Sequence, residues 1–193
     1  MATTRPSAAI LCAAGVEQIE VTVPRKRLEA AGFEVVLVGP TTGDIRAYHY
    51  IEPGDELHVD LSFFQVRAEM FDCLVIPGGL GGPDTLRNDE QAVRFVRDYW
   101  HQGRLVGVIC HGPWLLIEAG VLTARRLTCA DQISSDVANA GGAYVNADAH
   151  LDADTRPVLV SGRNHSTVGA FADVLVDQLS LAPLGDGRGH HAL

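Results

Sequence analysis

Short runs of aliphatic and β-branched residues alternate along this chain with longer stretches of helical spacing, punctuated by glycine and proline. The apolar runs predict strands over 9–13, 34–38, 73–76, 105–109, 126–129 and 158–161. Helices are predicted over 19–31, 89–101, 133–140 and 165–179, the first two closed by Gly32 and Gly103 and the third by the Gly141-Gly142 pair. The 45–61 stretch, with Pro53, Gly54 and alternating residues, reads as a β-hairpin excursion. Pro77-Gly78-Gly79 and the glycines up to Asp84 predict a turn. Strands alternating with helices give an α/β fold around a mostly parallel sheet. No repeat or linker divides it, so a single domain over 1–181 is expected, followed by a loose glycine-rich tail over 182–193.

Composition narrows the picture. A chain of 193 residues that is 47% hydrophobic can bury a sizeable core, and it contains no apolar run long enough for a membrane span. Its early apolar patch, from Ala8 to Ala14, is soon followed by Glu17 and Glu20, which suits a first strand better than a secretory segment; a cytoplasmic location is expected. A net charge of −9 argues against nucleic acid as a partner, because that binding needs clustered cations. The single lysine, Lys26, against fourteen arginines carries no functional weight. Cys12, Cys73, Cys110 and Cys129 show no paired spacing, so separate thiols are expected rather than disulfides or a zinc site. The eight histidines are scattered, two of them (His190 and His191) in the tail, and no metal site is expected.

One cysteine stands apart. The run ending at Ile109 stops at Cys110, is followed by His111, Gly112 and Pro113, and gives way to a helical stretch at Trp114. This is the pattern of a nucleophile elbow, a strand-to-helix turn that raises one side chain at the C-terminal edge of a sheet. The N–H groups and positive dipole end of the following helix would favour thiolate, predicting a thiol pKa below the free value of about 8.5. A buried core cysteine is the bland alternative, and it is the better reading for Cys12, Cys73 and Cys129. Three strand ends should converge here, bringing Glu17 and Glu20, the Gly78-Gly79 amides, and Cys110 with His111 into one crevice. His111 could serve as a general base for Cys110 or only as a backbone donor whose ring packs at a subunit interface; adjacent side chains on a tight turn usually diverge, so direct pairing of Cys110 with His111 within one subunit is not expected. Phe95, Tyr99 and Trp100 suit either core or interface.

Four segments, VEQIE with the following VP, LVIPGG, ICHGPWLLIEAGVL and DVANAGG, together resemble the PfpI branch of the DJ-one/PfpI superfamily over roughly 8–179. The resemblance implies a flavodoxin-like, doubly wound sandwich related to class I glutamine amidotransferases. It implies Cys110 as nucleophile, Glu20 as the carboxyl that hydrogen-bonds its sulfur, and backbone groups of Gly78, Gly79 and His111 at the oxyanion. His111 would be the protease-branch residue after the cysteine, and Asp84 an acid lent by a neighbouring subunit to orient it. Asp84 alone, after Pro83, would read as a helix N-cap. Implied activities are cofactor-independent glyoxalase, deglycase and cysteine peptidase, in a homodimer or higher homo-oligomer, with a small carbonyl compound as substrate.

The second half of the pocket departs from that pattern. Relatives place an aromatic or His, then Pro, where this chain has Ala130 and Asp131, and Pro where it has His165, while Arg163 is kept. A smaller residue at 130 would enlarge the pocket, with Glu17, Asp131, Arg163 and His165 around it; capping of the following helix is the plainer role for Asp131, while for His165 capping and an acid–base role at the rim stand level. Three readings follow: a cysteine enzyme for a small carbonyl compound, a pathway-specific hydratase or lyase using the altered rim, and a redox sensor acting through Cys110 oxidation. An amidotransferase is disfavoured, since His165 is followed by Ser166 and Thr167 with no Glu at the needed spacing.

Overall fold

In the computed structural model, which describes residues 5–181, the apolar runs fold into strands close to the predicted positions. The predicted 182–193 tail lies outside the described residues. The elements run β1 (Ser7–Leu11), α1 (Gln18–Ala30), β2 (Glu34–Gly39), the hairpin β3 (Gly43–His49) and β4 (Glu52–Val59), β5 (Leu61–Ser62) and β6 (Cys73–Ile76). They continue with α2 (Gly81–Arg87), α3 (Glu90–His101), β7 (Leu105–Ile109), α4 (Pro113–Glu118), β8 (Arg126–Leu127) and α5 (Ser134–Asn139). Strands β9 (Ala143–Tyr144), β10 (Ala149–Asp152) and β11 (Leu159–Gly162) and helix α6 (Val168–Leu181) complete the order.

Seven strands form one sheet in the order β10-β11-β7-β6-β1-β2-β5. All its pairings are parallel except that of the edge strand β10 with β11. From β1 the chain crosses through α1 to β2 in one direction; from β6 it crosses through α2 and α3 to β7 in the other. Right-handed crossovers in opposite directions place their helices on opposite faces. Accordingly α1 packs with α6, while α2, α3 and α4 pack together. The direction changes between β1 and β6, which opens a crevice beyond their C-terminal ends.

β6 and β7 are buried along their whole length, as central parallel strands with both faces covered require. Gly107 and Gly162 admit α6 closely: a Cβ at Gly107 would lie 2.9 Å from a Leu175 methyl, and one at Gly162 2.8 Å from the Phe171 Cβ. Phe95, Tyr99 and Trp100 of α3 are buried, which settles them as core within the chain. Cys12, Cys73 and Cys129 are likewise buried, and the four thiols are free. No helix among the described residues is long and apolar enough to cross a membrane.

Three local expectations are corrected. The glycines after Gly79 do not stay a turn but begin α2 at Gly81, anchored by buried Leu86. The predicted 126–129 strand ends at Leu127, since the Thr128 N–H donates to the Ser161 hydroxyl and the Ala130 N–H to the Cys110 carbonyl. The predicted 165–179 helix opens with a 3₁₀ turn, His165–Thr167, capped by the Asn164 side chain accepting from the Ser166 N–H.

Strand β10 was invisible to the hydrophobic pattern, and a buried ion pair holds its end. Asp152 accepts from Arg125 Nε–H at 2.8 Å and from the Arg126 N–H at 3.0 Å, while Arg125 also donates to the Pro157 carbonyl at 2.8 Å. Both side chains are about 6% exposed. Asp152→Ala would leave the guanidinium buried without its counter-charge, and is expected to cost about 3–5 kcal/mol in chemical denaturation. A loss below about 1 kcal/mol, the size typical of an exposed pair, would contradict this account.

Candidate active site

Cys110 is the residue at which β7 turns into α4, and it sits at a φ of 62°, a left-handed conformation that a non-glycine residue adopts only when its surroundings enforce it. Two backbone bonds on opposite sides do so. The Cys110 N–H donates to the Gly162 carbonyl at 3.0 Å, and the Cys110 carbonyl accepts from the Ala130 N–H at 3.0 Å. The elbow therefore exists because β11 and the segment after β8 grip it. Pro113 begins α4 without needing a donor there.

The β6 loop closes over the thiol. A Cβ added at Gly78 would fall 2.5 Å from the Cys110 Cβ, 2.7 Å from Glu20 Oε2 and 2.8 Å from the His111 nitrogen. Only glycine fits between those groups. The Gly78 N–H donates to Glu20 Oε2 at 2.7 Å. Its amide is thus engaged by the carboxyl rather than aimed at an oxyanion, which corrects the expected grouping of Gly78 with Gly79 and His111. The Gly79 and His111 N–H groups do point at the Cys110 sulfur. Gly79 (φ 89°) reaches that position through a conformation suited to glycine.

Glu20 is fully buried on the first turn of α1, and its carboxyl interacts with the thiol. Burial pushes its pKa up to about 8, against the pull of the Gly78 N–H. Glu17, just before α1, is also buried, and its carboxylate accepts from the Tyr50 N–H at 2.8 Å, so it fastens the β3–β4 hairpin to the crevice.

The thiol itself departs from expectation. Burial first, and the Glu20 carboxylate second, push the Cys110 pKa above its ordinary value, although the Gly79 and His111 N–H groups pull it down. The short α4 dipole does not overcome desolvation. A thiolate becomes tenable here when Glu20 carries a proton, because the anionic neighbour is then removed. His111 differs too: its Nδ1 lies 3.2 Å from Cys110 Sγ, so the neighbouring side chains meet instead of diverging.

His111 is held by groups that sequence inspection did not single out. Its ring packs edge-on against Trp114, centroids 5.0 Å apart, and Trp114 Nε1–H donates to Asp136 at 2.8 Å. The Arg87 guanidinium covers the Trp114 ring at 4.8 Å and pairs with Asp84 at 3.0 Å. Asp84 therefore lies inside α2, without a capping bond, and is linked to His111 among the described residues through Arg87 and Trp114. The available signal was an aromatic three residues after His111, which a helix starting at Pro113 brings close to it. Burial lowers the His111 pKa, and Asp136 partly restores it.

A family model described as DJ-1/PfpI family matches residues 6–178. The chain belongs to the DJ-1/PfpI family. Relatives within it include Deglycase PYRAB04690 of Pyrococcus abyssi, 36% identical over 166 residues, which span 86% of this chain and 97% of that protein. Protein/nucleic acid deglycase 2 of Escherichia coli is 35% identical over 163 residues, which span 84% of this chain and 91% of that protein. Among solved structures, a two-domain protein with DJ-1/ThiJ/PfpI-like and ferritin-like domains from Anabaena variabilis superposes with a TM-score of 0.84 at 32% identity. That match covers 91% of this chain and 48% of the two-domain chain.

On this DJ-1/PfpI scaffold the unusual rim forms its own network. Asp131 accepts from the Tyr144 hydroxyl at 2.6 Å and from Arg163 at 3.2 Å; Arg163 also contacts Asn146 and lies 3.7 Å from Asp148. Asp131 is therefore not a helix cap. His165 is exposed and the cap beside it is Asn164, so neither residue has the capping role that sequence suggested. Ala130 is buried against the elbow.

Two measurements test these electrostatics. A carboxyl raised to about 8 binds its proton more tightly in the folded chain than in the unfolded one, so stability is full below the ordinary carboxyl range and declines as pH rises through about 8. Glu20→Gln is expected to flatten that decline in denaturation midpoints; an unchanged slope would assign it elsewhere. Asp136→Asn removes the anion that raises His111, so the His111 ring resonances in NMR should titrate at lower pH than in the parent, and a rise would refute the assignment.

Proposed function

We propose that this chain is a cofactor-independent, cysteine-dependent deglycase- or glyoxalase-like enzyme acting on small carbonyl compounds. The observation that carries the reading is the joint placement of Cys110 Sγ 3.2 Å from His111 Nδ1 and beside a buried carboxyl whose pKa is pushed up to about 8. The deglycase names of relatives at 35–36% identity support the reaction class.

In this reading the Cys110 proton passes to His111 Nδ1 as sulfur attacks the carbonyl carbon. The S–C bond forms while the C=O π pair moves to oxygen, where the Gly79 and His111 N–H groups meet the developing charge. His111 starts neutral because burial lowers its pKa, so it has a lone pair to offer. Protonated Glu20 is a second store of one proton beside the same sulfur. With a 2-oxoaldehyde, transfer of a proton from the adduct carbon to the neighbouring carbonyl carbon, whose oxygen takes the proton held by His111, gives a 2-hydroxy thioester. Water then cleaves it to a 2-hydroxy acid and restores the thiol, with no outside oxidant or reductant.

The hydratase alternative, which needs Asp131 and His165 as acid–base groups, gains little here. Asp131 is engaged by Tyr144 and Arg163, and His165 lies exposed.

The test is glutathione-free turnover of methylglyoxal by the parent and Cys110→Ser. The serine variant is expected to lose roughly a thousandfold or more in kcat/KM. Retained turnover in the variant would overturn the assignment of Cys110. Absent turnover in both would overturn glyoxalase chemistry, even if Cys110 still alkylated rapidly at neutral pH.

A further inference from the structure

The N-terminal edge of the sheet, opposite Cys110, carries an open depression of about 420 Å³ lined by buried Trp100 and by the exposed side chains of Arg97, His101, Thr123 and Arg156 among others. We propose that this depression is a binding site for a small-molecule polyanion, a phosphate ester or a polycarboxylate. Its residues come from three places that the fold brings together: the last turn of α3, the segment following α4, and the loop before β11. Gly103 closes the floor beside Arg156, since a Cβ there would lie 3.5 Å from the Arg156 Cβ. The five-residue strand β7 separates this edge from the Cys110 elbow by roughly 17 Å, so the two sites are distinct.

Charge is the first argument. The chain carries 24 carboxylates against 15 cationic side chains, yet none of the residues lining this depression is acidic. Pairing is the second. Arg25, Arg27, Arg46, Arg87, Arg94, Arg125 and Arg163 each have a carboxylate within ion-pair distance. Arg97 and Arg156 have none among the described residues, as is also true of Arg5, Arg67, Arg104 and Arg126, but these two line the same acid-free depression; Arg97 donates its Nε–H to the Ala119 carbonyl at 3.1 Å. Both guanidinium groups line one depression without a carboxylate partner, and the planar fork of each matches an oxyanion edge.

The remaining lining suits an organic ligand rather than a bare ion. Trp100 offers an aromatic wall, held by the Arg125 guanidinium 4.8 Å from its centroid, and Thr123 and His101 add polar groups at the side. The volume falls in the range of metabolite pockets. A net charge of −9 argues against nucleic acid as the anion.

Isothermal titration calorimetry of the full chain with inorganic phosphate, pyrophosphate and citrate tests this, each at millimolar concentrations. At least one should bind saturably, and the preferred one distinguishes a phosphate ligand from a polycarboxylate. Arg156→Gln is the decisive variant, because Arg156 makes no side-chain hydrogen bond or ion pair among the described residues and its loss should not unfold the chain. It should weaken binding by roughly tenfold or more, with Arg97→Gln acting in the same direction. Arg94→Gln, on the same helix but paired with Asp98, should bind as the parent does. No saturable binding by any of the three anions, or equal binding by the parent and Arg156→Gln, would overturn the proposal. Binding that survives in Cys110→Ser would place the anion away from the thiol, as proposed; binding lost there would overturn it.

Discussion

The contact on which the candidate site depends is the approach of the β6 loop to the elbow at Gly78. There the backbone lies so close to the Cys110 Cβ, Glu20 Oε2 and the His111 nitrogen that a single methyl group has no room. Every other feature follows from that closeness. The Gly78 N–H finds Glu20, the next amide is left facing the sulfur, and the carboxyl of α1 is sealed from water. Parallel strands ending side by side make the approach possible, and the change of winding direction between β1 and β6 leaves the crevice open above it.

Sealing the carboxyl changes the chemistry of the thiol more than the helix dipole does. In water a carboxyl near a thiol would be ionised and would merely repel a thiolate. Here desolvation holds Glu20 near neutrality of charge, and the proton that it retains removes the repulsion that burial would otherwise make worse. The site is thus better described by how its protons are shared among Cys110, Glu20 and His111 than by the pKa of one residue. This is why an expectation drawn from the elbow alone, with its helix N-terminus, pointed the wrong way for the thiol: α4 is six residues long, and its dipole competes with the desolvation of a residue only 8% exposed.

The α/β order, the elbow, and the convergence of Glu20, Gly79 and Cys110 were legible in sequence because each rests on local pattern: apolar runs, glycine turns and a cysteine at a strand end. What stayed hidden depends on contacts between distant segments. β10 has no apolar run, and it forms because β11 offers an edge and Arg125 holds Asp152. Asp131 looked like a cap because caps are local, yet its carboxylate is claimed by Tyr144 and Arg163, which no spacing rule connects to it. The meeting of His111 with Cys110 was missed for the opposite reason. Neighbours on a turn diverge where the backbone keeps to the ordinary region, but Cys110 sits at a φ of 62°, and its sulfur lies 3.2 Å from His111 Nδ1.

Trp114 shows how such long-range contacts become functional geometry. An indole edge against the His111 ring would restrain it weakly if the indole could move. It cannot do so freely, because its Nε1–H is held by Asp136 and the Arg87 guanidinium covers its ring. Those two partners come from α5 and α2, on either side of α4, so the imidazole is oriented by the packing of three helices rather than by a carboxylate bonded to it. Asp84 enters the same arrangement as the counter-ion of Arg87. A role for Asp84 at the site therefore does not require that its carboxylate touch the histidine: within one chain it acts by keeping the guanidinium over the ring that the histidine leans on.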